Sequence, residues 1–191
     1  TDKTQTIMKF DIHTPQTAPE ASKATLADVE KAYKFIPNLM GTLAESPLAV
    51  SAYLQLSGLI QSKSSLTPSE RQVVMLAVSF ENGCDYCMAA HSAGAAMAQT
   101  PPATIQSLRD GKAPADAKTA ALVAFARAVV QQRGWVKEEA LNAILAAGYT
   151  RAQVLDVLVI TALKTISNYT NHLAHLPLDA AFAGQKWTRP N

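Results

Sequence analysis

Apolar residues recur along most of the chain at the spacing of amphipathic helices, and no segment shows the strict alternation expected of a strand. In the stretch 115–133 an apolar stripe is formed by Leu122, Phe125, Ala126 and Val129. The stretch 154–166 is apolar on nearly all sides, so we expect it at the centre of the core or against another subunit. The pattern predicts an all-α bundle of about seven to nine helices.

Start and stop signals divide this pattern into helices. Thr67 precedes Pro68 and Glu70, which indicates a capping box, so the ordinary role of Glu70 is that of a cap. Thr150 and Gln153 form the same motif at the start of a long helix. The predicted helices span about 25–35, 46–61, 67–81, 84–99, 102–109, 115–133, 137–147 and 150–174.

The first residues of the chain differ in pattern from the rest, and this difference predicts the domain organisation. Residues 1–22 contain Pro15 and Pro19 and lack a helical pattern, so we expect an extended N-terminal arm that lies over the body or over a neighbouring subunit. The remaining segment, residues 23–191, is short enough to form a single helical domain and long enough to bury a sizeable core.

Composition and charge narrow the function classes. The net charge is only +2 and no basic run stands out, so we expect no nucleic-acid partner. No apolar stretch approaches the roughly 20 residues of a membrane span, and residues 1–10 lack the pattern of a leader peptide. Two cysteines separated by two residues are typical of a redox motif in a reducing compartment, which predicts a cytoplasmic protein.

Candidate chemistry concentrates after the turn signal Asn82-Gly83. Cys84, Cys87 and His91 follow it at i, i+3 and i+7 and therefore share one face of the predicted helix. We expect Cys84 in the first turn, where the helix dipole favours thiolate over thiol. His91 lies one turn beyond Cys87, within reach of its sulfur. This arrangement favours thiol redox chemistry.

Two other interpretations account for the same residues. Cysteines are often buried as small apolar side chains, which would leave His91 as an ordinary surface residue. A zinc site would use both thiols and the imidazole, but it needs a fourth ligand such as Glu81 or His172. Because no second ligand pair exists, we expect no bound metal.

The segment Leu66–Gln72, the motif Asn82-Gly83-Cys84-Asp85-Tyr86-Cys87 with His91, and the segment Asn168–Leu173 together resemble one known family. It is the carboxymuconolactone decarboxylase/alkylhydroperoxidase D (AhpD) family, and its peroxidase-related branch is the most similar. The resemblance implies an AhpD-like helical bundle with a redox Cys-x-x-Cys at a helix N-terminus. It also implies a peroxidatic Cys87, a resolving Cys84, a proton-relay role for His91, and trimers or hexamers of the chain.

The sequence departs from the family at two positions. Where AhpD enzymes carry a relay glutamate, twelve residues before the first cysteine, this chain has Gln72, and it has Tyr86 instead of a histidine. A helical hairpin places Gln72 opposite His91, but an amide carries no proton. We therefore expect a slow peroxidase, unless Glu81, three residues before Cys84, supplies the missing carboxylate.

The function expected from these residues is a thiol-dependent hydroperoxidase or disulfide reductase. It would act on a hydroperoxide, use an external dithiol of the thioredoxin or lipoyl type, and need no haem, flavin or metal. One alternative is a lactone decarboxylase, although that branch of the family generally lacks the cysteine pair. The other is a non-catalytic oligomeric redox sensor, whose disulfide would change assembly or partner binding.

Overall fold

A computed structural model describes residues 9–190, so residues 1–8 of the predicted arm lie outside the described part. Within that part the chain forms nine α-helices and a final 3-10 helix, with no strand, and the all-α prediction is confirmed. The helices are α1 (Glu20–Tyr33), α2 (Asn38–Leu43), α3 (Pro47–Lys63), α4 (Pro68–Glu81), α5 (Asp85–Met97), α6 (Pro102–Arg109), α7 (Ala117–Gln131), α8 (Glu138–Ala146), α9 (Arg151–Ala174) and the 3-10 helix Ala180–Gln185.

Predicted capping motifs set the starts of α4 and α9. At α4 the Thr67 hydroxyl accepts from Glu70 N at 3.2 Å, and the Glu70 carboxylate accepts from Thr67 N at 2.8 Å. Thr150 and Gln153 make the equivalent pair at α9. Each motif satisfies two backbone donors that a helix start leaves without an intrahelical acceptor. Both predicted capping boxes are confirmed.

The chain differs from the prediction mainly near its two ends. Helix α1 begins at Glu20, within the predicted arm and before the predicted start at Thr25. Pro19 is its N-cap residue, and Ser22 in the added first turn is buried together with Leu26 and Val29. The sequence pattern missed α2 and the 3-10 helix. Each has only six residues, too few for a helical period to repeat.

Helix α4 forms the centre of the fold. It packs against α5, α6, α7 and α9, and every residue from 73 to 80 is buried. The helix ends in the predicted turn, where Gly83 adopts a left-handed φ of 67° and Cys84 N donates to Ser79 O at 3.0 Å. This turn reverses the chain so that α5 packs back along α4.

Segments at both ends of the chain fasten onto the helices. On the N-terminal side, His13 N donates to Gly41 O at 3.1 Å. On the C-terminal side, the Asp179 carboxylate accepts from Tyr86 Oη and, at 3.0 Å, from Asn38 N. These contacts connect the first turn of α5 to α2 and to the C-terminal segment.

Helix α9 is buried on one side only. Its inner face contains Lys164, Ser167, Asn168 and Asn171, all buried. The opposite side carries five exposed apolar residues, which we call the outer stripe: Leu155, Leu158, Val159, Tyr169 and Leu173. The predicted central position of α9 therefore holds for one face.

No single helix of residues 9–190 is long and apolar enough to cross a membrane. Helices α8 and α9 reach the required length and apolarity only as a pair, and they are bent 117° from each other.

Candidate active site

The two cysteines flank the first turn of α5. Cys84 is the N-cap residue, with an extended backbone (φ −88°, ψ 98°), and its carbonyl accepts from Met88 N at 2.9 Å. Cys87 is the third helical residue, so Cys87 rather than Cys84 lies within the first turn, at the positive end of the helix dipole. Both are free thiols, only 1% and 2% exposed.

Polar groups of α9 converge on the Cys87 sulfur. Asn171 Nδ2 donates to Cys87 Sγ at 3.7 Å and also to Ser167 O at 2.8 Å. The Ser167 hydroxyl and the Lys164 amine also act on this sulfur, because both lower the pKa of Cys87. These three residues follow one another at i, i+3 and i+7 on the inner face of α9. The sulfur of Cys87 is therefore surrounded by donors.

These surroundings shift the pKa values of the two thiols in opposite directions. Burial raises the pKa of Cys87, but the hydrogen bond from Cys84, the charge of Lys164 and the other donors outweigh it and lower the pKa to about 5. The pKa of Cys84 is raised, chiefly because Cys84 donates to Cys87 and also because it is buried. The opposite directions of these shifts make Cys87 the more acidic thiol of the pair.

His91 is held between a lysine and a glutamine. Lys164 Nζ lies 2.7 Å from His91 Nε2, and Gln72 Oε1 lies 3.0 Å from His91 Nδ1. A lysine ammonium only donates, so Nε2 is the acceptor and the ring proton is on Nδ1, from which it is donated to Gln72. Burial, and then the charge of Lys164, lower the pKa of His91 well below its usual value. The imidazole is therefore neutral.

A glycine on α5 makes room for Gln72. A Cβ atom at Gly94 would lie only 3.0 Å from Gln72 Oε1 and 3.1 Å from its amide carbon. Because these distances are shorter than ordinary van der Waals contact, a larger residue at position 94 would displace the amide. Gly94 thus allows α4 and α5 to approach closely enough for Gln72 to reach His91.

The structure brings together most of the residues predicted for the site. Gln72 and His91 face each other across the α4–α5 hairpin, as predicted. The predicted approach of His91 to the Cys87 sulfur takes a different form, because the available nitrogen of His91 contacts Lys164 instead. Tyr86, which replaces the histidine of AhpD enzymes, donates to Asp179 and stabilises the packing of α5.

Glu81 lies apart from this group. Its Oε1 is 3.3 Å from Arg127 Nε, and its Oε2 accepts from Gln131 Nε2 at 2.9 Å. Both carboxylate oxygens are therefore engaged by α7. Among the described side chains, these partners direct Glu81 toward α7 rather than toward His91, which leaves the predicted substitute for the relay glutamate without a contact to the relay.

Lys164, Ser167 and Asn171 were missed as site residues by the sequence analysis. One signal was present, because Lys164 is the only charged residue in the apolar stretch 157–166. A lysine in such a stretch is rarely buried without a specific partner. Asn171 lies within the segment that resembles the family, and its contact with Cys87 gives that segment a structural role. His172 stacks on Tyr169 on the exposed side of α9.

The donor set offers little to a metal ion. Within residues 9–190, no group of three or more His, Cys, Asp or Glu side chains is arranged to hold one.

Comparisons with known proteins connect this geometry to a family. Residues 47–130 match the carboxymuconolactone decarboxylase family, a range that includes α3 to α6 and most of α7. A search of curated proteins gives no significant match.

Solved structures share the whole fold. An uncharacterized peroxidase-related protein from Ralstonia eutropha JMP134, described as an alkylhydroperoxidase AhpD core, is 24% identical, with a TM-score of 0.80 over 92% of this chain and 94% of that one. A peroxidase-related protein from Silicibacter sp. TM1040 is 19% identical, with a TM-score of 0.78 over 96% of both chains. The debrominase Bmp8, in complex with 2,3,4-tribromopyrrole, is 17% identical, with a TM-score of 0.73 over 87% of this chain and 89% of that one. The predicted resemblance is confirmed: the chain has an AhpD-like fold, and its residues 47–130 match the carboxymuconolactone decarboxylase family.

Proposed function

We propose that the chain is a thiol-dependent hydroperoxide reductase in which Cys87 is the attacking thiol and Cys84 the resolving thiol. The observation that carries this proposal is the asymmetry of the pair. Polar groups of α9 lie against Cys87 in the first turn of α5, whereas Cys84 is the N-cap residue of that helix and its pKa is raised. A nucleophilic thiolate beside a protonated thiol is the arrangement that a two-step disulfide reaction requires.

The reaction begins with attack of the Cys87 thiolate on the terminal oxygen of the hydroperoxide. The O–O bond breaks, the sulfur is oxidised to a sulfenic acid, and the leaving oxygen takes up one proton to become an alcohol or water. The Cys84 thiol then attacks the sulfenic sulfur, forming the disulfide and releasing water. An external dithiol of the thioredoxin or lipoyl type reduces the disulfide and is itself oxidised.

His91 and Gln72 orient the proton chain beside Cys87. Because Gln72 Oε1 accepts a hydrogen bond from His91 Nδ1–H, the Nε2 lone pair of His91 points at the Lys164 amine. Proton movement to and from the site then runs through Lys164 and His91, while Gln72 fixes the tautomer. Glu81 has no part in this chain, since both of its carboxylate oxygens are engaged by α7.

The outer stripe of α9 is our proposed interface for a homo-oligomer, a trimer or hexamer as the resemblance implies. Its five apolar side chains lie along one side of a helix that spans six turns of the fold. A continuous exposed apolar surface of this kind is typical of interfaces between subunits. A reducing compartment such as the cytoplasm would supply the dithiol that the reaction needs.

Peroxide consumption in the presence of excess dithiothreitol or a thioredoxin-type donor tests the function. We expect sustained turnover, and in the absence of the donor we expect mass spectrometry to show one intramolecular disulfide between Cys84 and Cys87. Oxidation once per thiol pair, without turnover, would instead favour a redox sensor. If both thiols stay open to alkylation after peroxide treatment, the redox function is wrong.

A further inference from the structure

Lys164 is the largest of the described side chains that are fully buried. None of the described carboxylates forms an ion pair with it. Burying an ammonium group without an opposite charge is costly, so a buried lysine is normally paired or hydrogen-bonded. The imidazole of His91, 2.7 Å from Nζ, provides a hydrogen bond but no negative charge. A compensating charge must come from elsewhere in the site.

The packing of α5 against α9 identifies the group that supplies this charge. Cys87 and His91 are one helical turn apart on α5, and their partners on α9 are Asn171 and Lys164, respectively. The two helices therefore pack antiparallel, and the Cys87 sulfur and the Lys164 amine both lie in the interface between them. The Cys87 thiol, once ionised, supplies the opposite charge in this interface.

We propose that Lys164 is the counter-charge of Cys87, with its ammonium paired to the Cys87 thiolate and held in place by Nε2 of a neutral His91. This inference rests on the proposed function for its role in peroxide attack. It also explains the amide at Gln72, because with the positive charge on Lys164 the partner of His91 only needs to orient the ring. In this arrangement Lys164 sets the charge state of the attacking sulfur.

The other titratable groups around Cys87 carry no competing charge. Tyr53 faces it from α3, and Cys84, Tyr86 and His91 face it from α5. Burial raises the pKa of Tyr53 and of Tyr86, the latter also through its bond to Asp179, so both phenols stay neutral. Among the described groups, Lys164 is the cation that faces the thiolate.

The experiment measures the pH dependence of iodoacetamide alkylation at Cys87, in a Cys84→Ser background that leaves a single thiol. Lys164→Gln keeps a donor for His91 Nε2 without the charge, and Lys164→Met removes both. We expect both substitutions to raise the midpoint by about 1–3 pH units, the usual effect of losing an opposite charge at this range. Lys63→Met, at the exposed end of α3, is the matched control and should leave the midpoint unchanged.

An unchanged midpoint in Lys164→Gln, with thermal unfolding like that of the background, would overturn the inference. An equal shift in Lys63→Met would overturn it too, because the effect would then not be specific to the buried lysine. The measurement needs no peroxide, so it separates the inference from the proposed function. Peroxide turnover by the unsubstituted chain combined with an unchanged midpoint in Lys164→Gln would contradict the role of Lys164 alone.

Discussion

The inner face and the outer stripe of α9 reverse the usual distribution of side chains. Four polar residues are buried on the inner face beside Val157, Ile160 and Leu163, whereas leucine, valine and tyrosine are exposed on the outer side. Each buried polar group needs a hydrogen bond to offset its desolvation, and each exposed leucine or valine forgoes about 1.5–3 kcal/mol available on full burial. Stability of the isolated chain explains neither face, so each points to an interaction beyond the folding of this chain.

Hydrogen bonds stabilise the polar residues of the inner face. Asn168 accepts from Asn82 at 2.9 Å, Asn171 donates to Ser167 O at 2.8 Å, and Lys164 contacts His91. The outer stripe has no equivalent set of partners within the described chain. Under the proposed function, the buried polar residues would serve the thiol chemistry and the exposed apolar residues would serve assembly. Substitutions on each side should therefore have separable effects.

The largest effect on the site is expected from the attacking thiol itself. Cys87→Ser should abolish the reaction with peroxide, because a serine hydroxyl is not ionised at neutral pH even among these donors. Cys84→Ser should still form a sulfenic acid that no partner resolves. Trapping the sulfenate with dimedone in each variant, followed by mass spectrometry, checks this. A sulfenate found only in Cys87→Ser would show that the roles are reversed.

A smaller effect is expected from Gln72→Glu, which places a carboxylate against His91 Nδ1. The sequence analysis attributed a slow peroxidase to the absence of the relay glutamate, so a glutamate at position 72 was expected to raise the peroxide rate. The structure changes that expectation, because a new negative charge would draw on the same ammonium that stabilises the thiolate. We expect the midpoint of Cys87 alkylation to rise by on the order of one pH unit, with no gain in peroxide rate at neutral pH.

Glu81→Gln is the matched control for this substitution, since it changes the charge at the far end of the same helix. It should leave the alkylation midpoint and the peroxide rate unchanged and only weaken the contact with Arg127. A gain of about tenfold or more in Gln72→Glu, the scale of general-base assistance, would mean that a carboxylate relay is what the site lacks.

The sequence predicted the parts of the molecule that depend on local signals. Capping residues such as Thr67 and Thr150 act within one turn, so the starts of α4 and α9 were predictable. The cysteines, His91 and Gln72 were also predictable, because all four lie in one helical hairpin.

What the sequence did not predict depends on contacts between distant segments. Lys164 is 73 positions from His91 along the chain, and Asn171 is 84 positions from Cys87. No local pattern encodes those distances, since they result from the packing of α9 against α5. The partners of Glu81 were missed for the same reason, because Arg127 and Gln131 reach it from α7. The sequence thus located the thiols but not the charge that makes them unequal.

The smallest effect on the site is expected from the outer stripe. Leu158→Glu introduces a charge into the proposed interface, where an unpaired carboxylate would be costly to bury. We expect the substitution to lower the oligomeric mass measured by light scattering and to leave the Cys87 alkylation midpoint unchanged, because residue 158 faces away from the inner face. Leu48→Glu is the matched control, since Leu48 is 79% exposed at the start of α3 and lies outside the stripe. An unchanged mass in Leu158→Glu, or an equal loss in Leu48→Glu, would contradict the assignment of the outer stripe to assembly. A shifted midpoint together with a lower mass would show that the two faces of α9 are coupled, so that the thiol site depends on assembly.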